Sequence, residues 1–261
     1  MQYNLFARKR SRLFGLLLLF CAVSYGAMIF TQFNAVKGFT SIPSAIQWGI
    51  SNFYPAAHSF EKLPAILNKL LETILTAIAA STIAAVFALF FSVFGSKITK
   101  VNNILSIMSR GVATLFRNID VAAWALILLF SFGQSVLTGY FALFFVSFGF
   151  LTRAFIEVLD EVGESSVEAL KATGASYPMI ILKSVIPSST PQMISWILFM
   201  IEINIRSATL VGILTGTGIG FSFDLYYKNL DYNTASLVVL TIVVSILILE
   251  YLSNYVRRVI L

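Results

Sequence analysis

Long uncharged runs separated by short polar stretches dominate this chain. Arg8, Lys9, Arg10 and Arg12 precede an uncharged run from Leu13 to about Phe33, longer than the 7 to 15 residues of a signal-peptide core. It predicts an uncleaved first span with its N-terminus inside. Residues 34–66 carry Pro43, Pro55, Pro64, Trp48 and Tyr54 with few charges, which predicts an external loop with a short helix at the interface, where Trp and Tyr prefer to lie. Leu67–Gly95 reads as the second span; Ala77, Ala80, Ala84 and Ala88 recur on closely related helix faces, as suits close helix contacts in lipid. Residues 121–152 hold no charge, and the break SFGQSVLTG at 131–139 divides them. The third span therefore begins near Gly111, and the fourth runs from about Gly139 to Glu157. A polar insert follows. The fifth span is expected from Pro187 to about Ile205, interrupted near its outer end by Glu202, Asn204 and Arg206. The sixth, Thr234–Tyr255, leads to Arg257 and Arg258.

This pattern predicts an all-α membrane protein of six transmembrane helices with both termini cytoplasmic. It puts 13 of the 18 Lys and Arg on the inner side, with Lys37, Lys62, Lys69, Arg206 and Lys228 outside, as the positive-inside rule requires. Composition agrees: 58% of the 261 residues are hydrophobic and 11% charged, against about 25% charged in soluble domains. The net charge of +6 does not point to nucleic acid, because the basic residues flank apolar runs. Cys21 has no disulfide partner in the chain, and His58 is the only histidine, so no multi-histidine metal site is expected. With no phosphate-binding glycine loop and no carboxylate cluster, no catalytic site can be assembled. Work done by this chain needs energy from a partner.

Three constellations stand out. In ESSVEALKATGASYPMIILKSVIP (164–187), Ser165 and Glu168 have the spacing of a capping box. Gly174 sits where a left-handed residue ends a helix, and Pro178 and Pro187 can each open a new one. The capped helix is either a handle for a partner or a solvated loop. Arg117 and Asp120 are spaced i, i+3 within the expected third span; they face an aqueous cavity, or form a structural pair. Glu202 and Arg206 are spaced i, i+4 and precede Gly212, Gly216, Gly218 and Gly220, which permit tight turns and a broken or re-entrant segment. Arg206 either meets an anionic solute or pairs with Glu202 to fix the helix end.

EALKATGASYPMIILKSVIP resembles the EAA loop of ABC-importer permeases, with Glu168, Ala169, Gly174 and Pro187 at the motif positions; Leu170 and Ser184 depart from it. RNIDVAAWALILLF (117–130), VEALKATGAS (167–176) and NIRSATLVGILTGTGIG (204–220) resemble, in order, recurring segments of phosphonate-importer permeases. Asp120 displaces the family's acid by one place, and Thr217 interrupts its glycine run. The resemblance implies a type I ABC importer permease fold: residues 1–66 as a first helix and extracytoplasmic loop, and residues 67–261 as a core with a cytoplasmic coupling loop at 158–187. It further implies a cell-membrane protein that works as a dimer with a second permease copy, identical or paralogous, with two cytoplasmic ATP-binding subunits and an extracytoplasmic solute-binding protein. ATP and Mg would be bound by those subunits, leaving no cofactor in this chain. The implied solute is phosphonate or a related oxyanion, with Arg117, Asp120, Glu202, Asn204 and Arg206 as candidate pathway residues. Methionine-importer permeases share a related glycine-rich segment. A secondary transporter would favour paired broken helices and inverted repeats, and the sequence shows one broken segment and no repeat.

Overall fold

The computed structural model describes residues 3–162, 167, 170 and 172–260, and among them every regular element is a helix. Glu164, Ser165, Glu168, Ala169 and Lys171 lie outside the described residues, so the expected capping box and the first two motif positions have no structural account. The chain divides into two compact units, residues 1–53 and 54–261.

The first unit holds α1 (Tyr3–Phe30) and α2 (Ala35–Asn52). Side chains from Leu13 to Ala27 are exposed on every face of α1, although this stretch is among the most apolar in the chain. A helix apolar on every face suits a hydrocarbon solvent. In α2, the short helix expected in the 34–66 stretch, the Asn34 side chain caps the first turn by accepting from the Lys37 N–H at 3.0 Å.

The second unit begins with a 3-10 turn, Ala57–Lys62, followed by α3 (Leu63–Gly95), α4 (Asn103–Asn118), α5 (Val121–Phe132) and α6 (Val136–Val162). The insert holds α7 (Tyr177–Ile180) and a π-turn (Ile181–Val185), and α8 (Ile186–Thr215), α9 (Gly218–Lys228) and α10 (Tyr232–Ile260) follow. Among the described residues, five helical segments are long and apolar enough to span a membrane; α4 and α5, bent by 90°, make a sixth if they count as one broken span.

Helices α3, α6 and α8 form the centre. The alanine stripe of α3 behaves as its sequence predicts: Ala77, Ala80, Ala84 and Ala88 are each wholly buried. Ala84 and Ala88 belong to a cluster with Phe148, Leu151 and Phe155 of α6, and Ala80 to one with Ala142, Leu143, Ala208 and Val211. Small side chains let the backbones approach, so dispersion replaces the hydrophobic force that lipid does not supply.

Three expectations need correction. The third span does not run straight from Gly111. The chain turns at Ile119–Asp120, where the Asp120 carboxylate accepts from the Ala122 N–H at 2.8 Å and caps α5. Arg117 and Asp120 therefore do not share a helix face, because a capping acid lies outside the helix that precedes it. The fifth span is not interrupted at 202–206; α8 continues to Thr215, and its polar residues are accommodated by pairing within the protein. Nor does Pro187 open a helix out of a loop. The backbone is already helical through Val185 and Ile186, and the Ile186 N–H reaches back to the Ile181 carbonyl in a π-turn. A widened turn accommodates the missing proline N–H and the bulk of its ring.

Candidate functional site

The glycine-rich segment is where α8 ends and the chain breaks before α9. Gly216 adopts φ +69°, ψ +30°, and the Thr217 N–H reaches the Gly212 carbonyl at 3.0 Å, a Schellman ending that satisfies otherwise free carbonyls. Gly218 is also left-handed, at φ +61°. The chain then folds back onto α8. A β-carbon at Gly212 would lie 2.5 Å from the Thr217 oxygen and 3.3 Å from the Gly220 Cα. One at Gly220 would fall on the Thr209 carbonyl, 3.0 Å from the Ile213 nitrogen. These glycines thus serve close backbone approach, as their spacing predicts.

Contacts across helices set the depth of this break. Lys62 Nζ donates to Asp231 at 2.6 Å and Thr234 Oγ1 to Ser59 at 3.4 Å, holding the first turns of α3 and α10 level. The Ile219 N–H donates to Thr73 Oγ1 at 2.8 Å. Thr73 is ten residues into α3, so the break lies about 15 Å along α3 from its start. Around it Glu72, Thr73, Thr76, Gly139 and Thr217 line a small cavity with room for water at about 20 Å³. Lys69 pairs with Glu72 at 2.7 Å. This polar pocket went unpredicted because its members come from α3, α6, α8 and the 216–218 turn.

The Glu202 carboxylate pairs with Arg206, as the i, i+4 spacing predicts, and lies 3.8 Å from Arg257 of α10. The Arg257 guanidinium also stands over the Phe199 ring at 6.0 Å, a cation–π distance. Glu202 is 13 residues before Thr215, about 20 Å beyond the break at 1.5 Å per residue, and Arg257 is 25 residues into α10, about 38 Å from its start. Measured from the level first turns of α3 and α10, Glu202 thus lies at about 35 Å and Arg257 at about 38 Å. Arg206 and Arg257 therefore lie at one level near the far end of α10, which corrects their assignment to opposite sides. The expectation failed because it ended the helix at Ile205, whereas ten further residues of α8 follow.

Asn204 is 1% exposed and donates through Nδ2 to Ser81 Oγ at 2.8 Å and Ser147 Oγ at 2.5 Å. Those hydroxyls donate in turn to the Ala77 and Leu143 carbonyls, each at 2.7 Å. The amide joins α3, α6 and α8 and faces no open channel; in lipid, such buried polar groups must find partners within the protein. Arg117 and Asp120 are exposed, and the site does not gather them with Glu202 or Arg206.

At the insert, Gly174 has φ +76° and the Ala175 N–H reaches the Leu170 carbonyl at 3.2 Å, the helix-ending geometry expected there. Val167, Ile180 and Val185 are buried against Phe155 and Leu159, with Leu170 packed beside them. The described part of the insert is thus tied to the core by apolar contacts.

The described residues form a helical core with several helices long and apolar enough to cross a membrane and one bent pair. The chain belongs to the family of binding-protein-dependent transport system inner membrane components, whose pattern matches residues 62–260. This is a transport family rather than an enzyme family. The chain is 29% identical over 190 residues to the phosphate-import permease protein PhnE of Mycolicibacterium smegmatis, covering 73% of this chain but only 36% of that longer protein. It is 26% identical over 192 residues to the phosphite transport system permease protein PtxC of Stutzerimonas stutzeri, covering 74% of this chain and 70% of that one. Over 117 residues it is 32% identical to the PhnE2 protein of Escherichia coli K12, named for a cryptic phosphonate transport system, covering 45% of this chain and 96% of that protein. An amino acid ABC transporter crystallised with histidines superimposes with a TM-score of 0.65 at 15% identity, over 76% of this chain and 95% of the other. That likeness establishes the fold. The resemblance to phosphonate-type ABC importer permeases accordingly holds.

Proposed function

We propose that this chain forms the translocation pathway of an ATP-driven importer for phosphonate, phosphite or phosphate, paired with a second permease copy and served by an extracytoplasmic binding protein. The observation that carries the solute class is that the relatives named for phosphate, phosphite and phosphonate transport share one chemistry, a small tetrahedral phosphorus oxyanion. Two cytoplasmic ATP-binding subunits supply the energy. Their closure favours one permease state over the other, and only such differential binding can drive the equilibrium.

The insert is the part those subunits grip. Its helix ends at a left-handed glycine, and its apolar residues are seated in the core that packs α3, α6 and α8, so a push on it reaches the pathway helices. Both termini lie on the cytoplasmic side. Placing Arg206 level with Arg257 raises the basic residues on that side from 13 to 14 of 18, which supports this orientation.

Uptake of phosphite, methylphosphonate and phosphate by the reconstituted complex, with methionine as competitor, tests the solute class. One of the three oxyanions should be transported and methionine should not compete. Transport of methionine in their place would overturn the assignment. Arg206→Gln is expected to slow oxyanion uptake while the ATP-binding subunits still co-purify; loss of assembly instead would show that Arg206 serves only to pair Glu202.

A further inference from the structure

We propose that the turn joining α3 to α4, residues 96–102, is a second working part of the coupling apparatus, because Asp160, at the end of α6, and Tyr177, just past Gly174 within the insert, both grip that one turn. The inference rests on the reading of the insert as the contact for the ATP-binding subunits.

Asp160 lies near the end of α6, just before the insert. Its Oδ1 accepts from Ser96 Oγ at 2.6 Å and from the Lys97 N–H at 2.7 Å, and its Oδ2 from Arg110 Nη2 at 3.4 Å. Arg110 Nε donates to the Gly95 carbonyl at 2.7 Å, and Ser106 Oγ donates to the same carbonyl at 3.0 Å. The free carbonyl at the end of α3 is thereby satisfied from α4, and one carboxylate holds both helices. Tyr177 lies within the insert, three residues past Gly174, and its hydroxyl donates to the Thr99 carbonyl. Thr99 is itself fastened, its Oγ1 donating to the Val93 carbonyl at 2.6 Å. Ser96 is wholly buried and Thr99 is 2% exposed.

Two attachments, one before and one after Gly174, fix the turn as a lever. Charge-assisted bonds to Asp160 are stronger than neutral ones, and the fit around Gly95, where a β-carbon would lie 2.9 Å from Ile156 Cγ1, leaves little slack. Motion of the insert therefore carries residues 96–102 with it. Helix α4 begins at Asn103 and leads to the 90° bend into α5, so the displacement reaches a broken segment about 24 Å away along a 16-residue helix.

The test uses the full complex in liposomes with its binding protein, reading solute imported per ATP hydrolysed for Tyr177→Phe, Asp160→Ala and the double variant. Each single variant is expected to lower this ratio about tenfold, the factor that loss of one well-made hydrogen bond can carry. Co-purification of the ATP-binding subunits and the melting temperature should stay near wild type for Tyr177→Phe, which removes one hydroxyl. The double variant should lose less than the product of the two singles, since both act on one turn. A Tyr177→Phe complex with the wild-type ratio overturns the inference, as does a loss that follows the melting temperature alone. If Asp160→Ala fails to fold, Tyr177→Phe with Arg110→Lys decides the matter by the same ratio. Gly174→Val separates the two layers. If it is uncoupled while Tyr177→Phe is normal, the insert reading stands and the turn fails; if it is fully coupled, the insert reading itself fails.

Discussion

Replacing Gly220 by alanine is a severe test of how the broken span is built, because it adds a single methyl group. That methyl would fall on the Thr209 carbonyl, 2.9 Å from its carbon and 3.0 Å from the Ile213 nitrogen. Comfortable carbon contacts begin near 3.5 Å, and both neighbours are backbone, which cannot rotate away. The start of α9 would have to move off α8 by about 0.5 Å or more. That movement strains the Ile219 N–H bond to Thr73. Overpacking costs about 1–3 kcal/mol, and a weakened hydrogen bond adds about 1 kcal/mol. The matched control is Gly111→Ala, where a β-carbon on helix α4 meets nothing within 4 Å. Helix propensity favours alanine there by about 1 kcal/mol. Thermal unfolding of the two variants in the same detergent should therefore separate them by about 3–5 kcal/mol, in opposite directions from wild type. Equal melting temperatures would refute the close approach of α9 to α8.

Three further outcomes follow from the same contacts. Asn204→Ala should destabilise the protein by about 1–3 kcal/mol, the cost of unmaking a buried polar junction, without altering which oxyanion is preferred in uptake competition; a changed preference would return Asn204 to the pathway. Gly174→Val forces a β-branched residue to φ +76°, about 1–2 kcal/mol of strain, yet a β-carbon there meets nothing of this chain within 4 Å. Uncoupled ATP hydrolysis in a protein that still inserts is the expected result. Burial raises the Asp231 carboxyl, but hydrogen bonds from Lys62 and Thr234 outweigh it and hold its pKa below the usual carboxylate value. A carboxyl lowered by folding stabilises the native state above its unfolded pKa, about 3.9, and that contribution disappears as pH falls through the folded value. Melting temperatures measured downward from pH 6 should fall more steeply below that point for the wild type than for Asp231→Asn.

Part of this architecture follows from the order of residues alone. Uncharged runs longer than a bilayer is thick can be satisfied only as helices, so α1, α3, α6 and α10 are legible from composition and charge placement. The alanine stripe of α3, the helix-ending Gly174 and the glycines that let α9 lie on α8 are equally local. Each depends on a spacing of three or four residues, or on the one residue type that tolerates a left-handed backbone. The Glu202–Arg206 pair belongs with them.

What local pattern cannot supply is depth and partnership across helices. Arg206 shares a level with Arg257 because α8 runs on to Thr215, which only its packing against α3 and α9 reveals. Asn204 becomes a buried junction of three helices because Ser81 and Ser147, 123 and 57 positions away, meet it. Asp120 changes from a helix-face acid to an N-cap because the chain bends by 90° beside it. Asp160, Arg110 and Tyr177 carry no motif, and they acquire a role only when folding brings the end of α6 and the latter part of the insert to one turn. The sequence by itself determined which segments are apolar enough to enter a membrane and where glycine permits a left-handed backbone; tertiary structure decided where the helices bend and which polar groups satisfy one another, since in lipid a polar side chain is defined by the partner that packing brings to it.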